Sequence, residues 1–295
     1  MPDRPLLPPA HTAPLPPARE AGAGVSVLAG VPYAALPGAR PLELDLYLPA
    51  QRPAPLVVFV HGGGWRLGSR HSAGPAYPAT TAFEAVARAG IAVASVDHRL
   101  SGEALWPAQL HDVKAAVRWL RARAGELGVD PGRVHAWGES AGGHLAALLG
   151  LTAGDPELEG DVGVTGPSSA VAAVAAWYPP TDLPALPGDL GTDPAAADSR
   201  EAQLLGAPVA AVPDRAAQAS PVAHVSPGAP PFLLLHGRAD RLIPCVQSER
   251  LRDALQDAGV PVGLTTYDGA DHMWLGSPEA AEDALARTIA FLSAR

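Results

Sequence analysis

An α/β fold with a mostly parallel sheet covered by helices on both faces follows from three features of the sequence. Short continuous apolar runs recur along the chain, helical patterns separate them, and several of those patterns end in a Gly-containing turn. The runs, at 56–60, 91–96, 134–137, 171–177 and 232–235, have the length of strands. They lack the polar alternation of a strand that faces water, so burial on both faces is expected.

The elements follow in order. Residues 1–24 are Pro-rich without periodicity and read as an extended arm. Leu42-Glu43-Leu44-Asp45-Leu46-Tyr47-Leu48 alternates with period two, predicting a half-buried strand paired antiparallel with residues 25–28 as an edge hairpin. Helices are expected over 81–89, 106–123, 141–152, 246–258 and 277–294. The second sets Leu110, Val113, Val117 and Leu120 on one face, opposite His111, Lys114, Arg118 and Arg121. Gly90 and Gly259 suit left-handed C-caps. Residues 183–230, rich in Ala, Pro, Asp and Gly, are too long for an open connection. They are assigned as a partly helical lid over the carboxyl edge of the sheet, inserted in a single domain over 25–295.

Composition narrows the partners. Lys and Arg number 21 against 30 Asp and Glu, a formal charge of -9, which disfavours a broad grip on nucleic acid or anionic lipid. A small-molecule partner is expected. Cys245 is the single cysteine, so no internal disulfide forms, and no Cys/His cluster has structural-zinc spacing. Neither a metal nor an organic cofactor is expected. The N-terminus carries Asp3 and many prolines where an export signal would be apolar, and the apolar run over 170–178 stops at Pro179. The expectation is a cytoplasmic protein without a membrane span. Oligomeric state is not encoded in any recognisable pattern.

The sharpest chemical signal is GESAGG over 138–143, in which a strand runs through G-x-S-x-G straight into a helix. Gly138 and Gly142 let strand and helix pass closely, so that Ser140 occupies a strained turn and presents its hydroxyl above the sheet. A second motif, HGGGW at 61–65, follows an earlier strand. Its glycines can turn the amides of Gly63 and Gly64 toward a developing oxyanion, joined by that of Ala141. A nucleophilic hydroxyl needs a base and an orienting acid. His272, in the loop between the strand 263–267 and the last helix, is the base; Asp240, after the preceding strand, is the acid. Asp182 is the rival acid. Trp65 and Glu139, beside the two motifs, are taken as substrate-binding. His61 is read as a loop brace, His144 and His111 as structural, Asp97 and Arg99 as an ion pair with each other, Asp271 as a weak candidate and Cys245 as inert.

HGGGW, the segment from Trp106 through GESAGG to Leu151, HGRADRLIP at 236–244 and GADHMWLG at 269–276 together resemble the α/β-hydrolase superfamily. The likeness is greatest to bacterial carboxylesterases of the feruloyl-esterase-like and hormone-sensitive-lipase-like groups, and covers about residues 25–295. It implies an eight-stranded, mostly parallel sheet, with Ser140, Asp240 and His272 as nucleophile, acid and base, and Gly63, Gly64 and Ala141 as oxyanion donors. Asp97-His98-Arg99 departs from the more familiar Asp-Tyr-Arg, and the N-terminal arm is short beside the helical cap of lipase-like members. Ester hydrolysis of small or short-chain acyl substrates is therefore expected. Aryl-formamidase-type amide hydrolysis and a non-hydrolytic dehydratase or binder on the same fold are the alternatives.

Overall fold

The structure is a computed structural model that describes residues 12–295 of the 295. The part of the Pro-rich arm at 1–11 lies outside the described residues. Strands β1 (Arg19–Glu20), β2 (Ser26–Ala34), β3 (Leu42–Leu48), β4 (Ala54–Val60), β5 (Ala92–Val96), β6 (Val129–Glu139), β7 (Val174–Trp177), β8 (Phe232–Gly237) and β9 (Val262–Tyr267) form one sheet. Its order is β1-β2-β3-β5-β4-β6-β7-β8-β9. The pairs β1/β2, β2/β3 and β3/β5 are antiparallel; the remaining neighbours, from β5/β4 onward, run parallel. This is the α/β-hydrolase fold, with nine strands among the described residues where eight were expected. The addition is β1, a two-residue pairing with β2 inside the segment read as an extended arm.

Helices α1 (Thr81–Arg88), α2 (Ala108–Ala122), α3 (Ala124–Leu127), α4 (Ala141–Leu151) and α5 (Pro156–Glu159) lie before β7 in the chain. After it come α6 (Leu186–Leu190), α7 (Arg200–Leu205) and α8 (Pro213–Gln218), all three before β8, then α9 (Val246–Asp257) and α10 (Pro278–Ser293). Two apolar clusters divide the sheet's faces. Leu56, Val58 and Val60 of β4 join α2 and α4 in one, while Val57 and Phe59 join α1 and α10 in the other. That alternation explains why β4 reads as an unbroken apolar run: both of its faces are core. On the α10 side a chain of rings crosses the strands, with centroids 4.9 Å apart for Phe83 and Phe59, 4.5 Å for Phe59 and Trp137, and 5.0 Å for Trp137 and Trp177.

Two polar stripes that sequence periodicity leaves to solvent are covered instead. Asp45 of β3 is buried; the loop after β4 lays Arg70 across it, Nε to Oδ1 2.9 Å, and the Gly30 amide donates to the same oxygen. On α2, Lys114 and Arg118 lie beneath α5 and the loop that follows it. Lys114 donates to the Thr152 carbonyl at 2.6 Å and to Glu159 at 3.1 Å, and Arg118 donates to Glu159 and to the carbonyls of Val162 and Val164. A buried cation is tolerable when its donors are filled in this way.

Candidate active site

The carboxyl ends of the parallel strands gather the site, as expected for an open α/β sheet. β4 leads into the glycine loop, β6 into Ser140, β8 into the turn holding Asp240, and β9 into the turn holding His272.

Ser140 has φ 52° and ψ -122°, a left-handed backbone that a residue with a Cβ adopts only at a cost of about 1–3 kcal/mol. Its neighbours hold it there. A Cβ on Gly142 would stand 2.0 Å from the Val60 carbonyl oxygen, and one on Gly138 would stand 2.2 Å from that of Gly142. Glycine is required at both positions because strand and helix backbones touch. The amide of Ser140 donates to the Trp177 carbonyl at 2.9 Å, tying the elbow to β7.

The Ser140 hydroxyl donates to Nε2 of His272 at 2.9 Å, and Nδ1–H of His272 donates to Oδ2 of Asp240 at 2.6 Å. An ionised carboxylate only accepts, which places the ring proton on Nδ1 and leaves Nε2 able to accept. Oδ1 of Asp240 accepts from the amides of Leu242 and Ile243 at 2.9 and 2.8 Å. Burial works to raise the Asp240 pKa; hydrogen bonds from His236, His272 and the Ile243 amide outweigh it and hold the carboxyl well below its usual range.

The glycine loop turns on Gly63, φ 114°, whose carbonyl accepts the amides of Arg66 and Leu67. The amides of Gly63 and Gly64 have no acceptor among the described residues. Ala141 opens α4, where the first N–H groups find no carbonyl within the helix. Gly63 and Gly64 border a cleft of about 230 Å³ with Ser140 and His272, and Ala141 follows Ser140 at its edge without lining it. Arg66, Leu67, Arg200, Leu242 and Met273 complete its wall.

Glu139 reaches the cleft floor, yet both its carboxylate oxygens are engaged: Tyr178 donates to Oε2 at 2.7 Å and the Gly62 amide to Oε1 at 3.3 Å. Burial raises its pKa against those two hydrogen bonds. Trp65 requires correction, since it is not part of the cleft wall. Its indole is buried and donates to Nδ1 of His144 at 3.1 Å, and the His144 Nε2–H donates to the Ala219 carbonyl. The tryptophan therefore joins the loop to α4 from beneath.

Asp182 accepts the Ala185 amide and pairs with Arg250, while the Nδ1 of His272 is held by Asp240. Asp97 and Arg99 do not pair with each other, a second correction: Asp97 binds Arg70 and Arg99 binds Asp112, because their side chains leave the strand end in different directions. Asp271 caps the turn at His272 and pairs with Arg241. His61 donates through Nδ1 to its neighbour's carbonyl and stacks on His98. Burial pushes the Cys245 thiol up to about 11. No group of three or more His, Cys, Asp or Glu is arranged to hold a metal among the described residues, and none of their helices is long and apolar enough to cross a membrane.

Three contributors escaped sequence reasoning. His236 ends β8 with Nε2 2.9 Å from the Ile243 carbonyl and 3.4 Å from Asp240 Oδ2, so it donates there and accepts from Ser248 through Nδ1. Tyr178 places its ring 4.7 Å from that of His272. Arg200 comes from α7 in the long insertion. The first two sit at carboxyl ends of strands, a signal available in advance; the third depends on how the insertion folds back.

Residues 44–255 match the family model described as BD-FAE. The chain belongs to the BD-FAE family. Among curated proteins this BD-FAE member is 35% identical to Esterase LipC of Mycobacterium tuberculosis over 227 residues, covering 75% of this chain and 53% of that protein. The chain spans about half the length of the curated relatives it matches. Among solved structures it is similar to a truncated carbohydrate esterase from gut microbiota, with TM-score 0.81, 29% identity and coverage of 94% of this chain and 98% of that one. The propionate-bound esterase Est2 of Thermogutta terrifontis gives TM-score 0.73 at 29% identity, covering 92% and 94%.

Proposed function

We propose that this BD-FAE member hydrolyses carboxylic esters with small or short-chain acyl groups through an acyl-enzyme. The observation that carries the reading is the unbroken hydrogen-bond line from Ser140 through His272 to Asp240, opening on a cleft bordered by unengaged amides. His272 takes the proton of the Ser140 hydroxyl as the oxygen attacks the ester carbonyl, and Asp240 stabilises the imidazolium. The amides of Gly63, Gly64 and Ala141 receive the oxyanion. His272 then passes its proton to the departing alcohol, and water repeats the cycle on the acyl-enzyme. Residues 183–230 serve as a lid, and a cytoplasmic setting accords with the unpaired Cys245.

The esterase names among the relatives, and the propionate bound to a structural neighbour, support an ester with a short acyl group. The test is a side-by-side assay of a p-nitrophenyl ester series and N-formylkynurenine, with fluorophosphonate labelling. Turnover of the short esters with label on Ser140 is the expected outcome. Preferential cleavage of the formamide would replace the ester reading, and absence of label would remove hydrolysis altogether.

A further inference from the structure

The rim of the cleft holds two cations without carboxylate partners. Many other guanidinium groups of this acidic chain meet acids, as Arg70 does Asp45 and Asp97, Arg99 does Asp112 and Arg250 does Asp189, while Arg121 and Arg215 are held by backbone carbonyls. The Arg200 side chain has no hydrogen bond or ion pair among the described residues. Arg66 has one long contact, Nη1 to Oε1 of Gln203 at 3.4 Å, which ties it to α7, the helix that carries Arg200. Both line the cleft with Ser140 and His272.

Position 64 shows how closely the second cation sits to the chemistry. The aliphatic stem of Arg200 packs on Gly64, so that a Cβ there would stand 2.8 Å from Arg200 Cδ. Its stem is thus seated beside the glycine loop. Glu139, the acid in the cleft lining, is engaged by Tyr178 and Gly62. Arg200 also lines a neighbouring cavity of the insertion with Asp193 and Glu201, and makes an ion pair with neither. Leu67, Leu242 and Met273 supply apolar wall to the same cleft. Against a formal charge of -9, two guanidiniums without acidic partners at this mouth are local positive charges that favour an anion.

Resting on the esterase reading above, we infer that the preferred substrate is an ester carrying a second, free carboxylate, which Arg66 and Arg200 bind while its hydrocarbon part lies against Leu67, Leu242 and Met273. The planar fork of arginine suits a carboxylate, and differential binding near the reacting centre is expressed in kcat/KM.

Two pairs of esters test this and separate the two halves of the substrate. On the acyl side, the p-nitrophenyl monoester of glutarate is compared with p-nitrophenyl pentanoate. On the alcohol side, 4-carboxyphenyl butyrate is compared with its 4-carbamoyl counterpart. At least one anionic ester should exceed its neutral partner about tenfold in kcat/KM at low salt, with the advantage shrinking as salt rises. Arg200→Met, which keeps the stem over Gly64, and Arg66→Met should each erase most of that ratio. Equal or faster turnover of both neutral esters by the wild type, or a ratio unchanged in the double variant, would overturn the inference. Calorimetric binding of monomethyl glutarate to Ser140→Ala gives a readout independent of hydrolysis. Binding that disappears with Arg200→Met, from a protein that cleaves no ester, would leave the anion site standing and refute the esterase reading instead.

Discussion

His236 stands behind Asp240, its Nε2 3.4 Å from the Oδ2 that also receives the His272 proton. One carboxylate oxygen is thus shared by two imidazoles, and the second has no contact with the cleft. His236 is fixed in turn by Ser248 and the Ile243 carbonyl. Replacing it with Phe removes the first of the hydrogen bonds that keep the Asp240 pKa low. We expect kcat to fall about tenfold with KM little changed, on the scale seen when partners that orient a functional side chain are lost. The activity profile should also lose ground at its acid end. An unchanged profile in a folded variant would reduce His236 to packing.

Ser140→Ala should abolish ester turnover without lowering the unfolding midpoint, because relief of the serine side chain leaves the elbow's glycine contacts intact. Asp240→Asn should cost about 10⁴ in turnover, by analogy with the serine-protease acid. Asp182→Asn should cost far less, since Asp182 faces Arg250 and a helix start. Steady-state kinetics on the three variants decide the acid: a deeper loss in Asp182→Asn would move that role.

Gly63→Ala confronts two obstacles at once. Its φ of 114° is costly for any residue with a Cβ, and that atom would stand 2.3 Å from the Leu67 carbonyl oxygen. The loop must shift, carrying the candidate oxyanion amides with it. A loss of about 10² in kcat is expected, the scale for one missing donor. Near-normal kcat in the variant would show that these amides are not aimed at the reacting carbonyl.

The buried cations of α2 give a prediction about stability alone. Glu159 receives both Lys114 and Arg118, so Glu159→Ala leaves two cations beneath α5 without their carboxylate. Breaking a fully buried pair from one side costs about 3–5 kcal/mol, and because Glu159 is partly exposed and carbonyls still hold both cations the loss should fall below that range. Lys114→Met exchanges the charge for a similar volume and should cost much less. Urea denaturation of both variants tests the order, and equal losses would contradict it.

What could be read from the sequence and what could not differ by locality. The backbone at Ser140 is set by residues within two positions of it, and strand and helix around it announce themselves by composition, so the elbow was legible. His272 and Asp240 were legible because each lies just after a strand. The burial of Asp45, Lys114 and Arg118 was not legible because their covers, the loop at Arg70 and the segment ending in Glu159, come from elsewhere in the chain. Trp65 sits in the motif that borders the cleft, yet points away from it toward His144. Periodicity tells which residues share a face and is silent on what later covers that face. The ninth strand needed only two residues to pair, too few to leave a pattern.

Three buried histidines that the chemistry does not use weaken the fold at acid pH, in the same direction as His98 and His111, which burial also lowers. His144 is buried between the Trp65 indole and the Ala219 carbonyl, and His135 is buried with neither ring nitrogen bonded among the described residues. His61 lies stacked on His98. Burial lowers the first two to about 4 and the third to about 3, so all three remain neutral in the folded protein where unfolded histidine, at 6.5, already takes up a proton. Between those values the unfolded chain binds more protons than the native one, and stability falls as pH falls. Each histidine contributes a slope of about 1.4 kcal/mol per pH unit once the pH is well below 6.5, and the loss continues until its own folded pKa is reached. The full contribution is present above 6.5. Urea midpoints taken from pH 7.5 to 5 should therefore decline steeply below about 6.5. His135→Phe, which removes one titrating ring that makes no hydrogen bond, should reduce the slope by one histidine's share, about 1.4 kcal/mol per pH unit. A midpoint that stays level down to pH 5 would mean these rings are protonated or solvated in the native state, contrary to their burial.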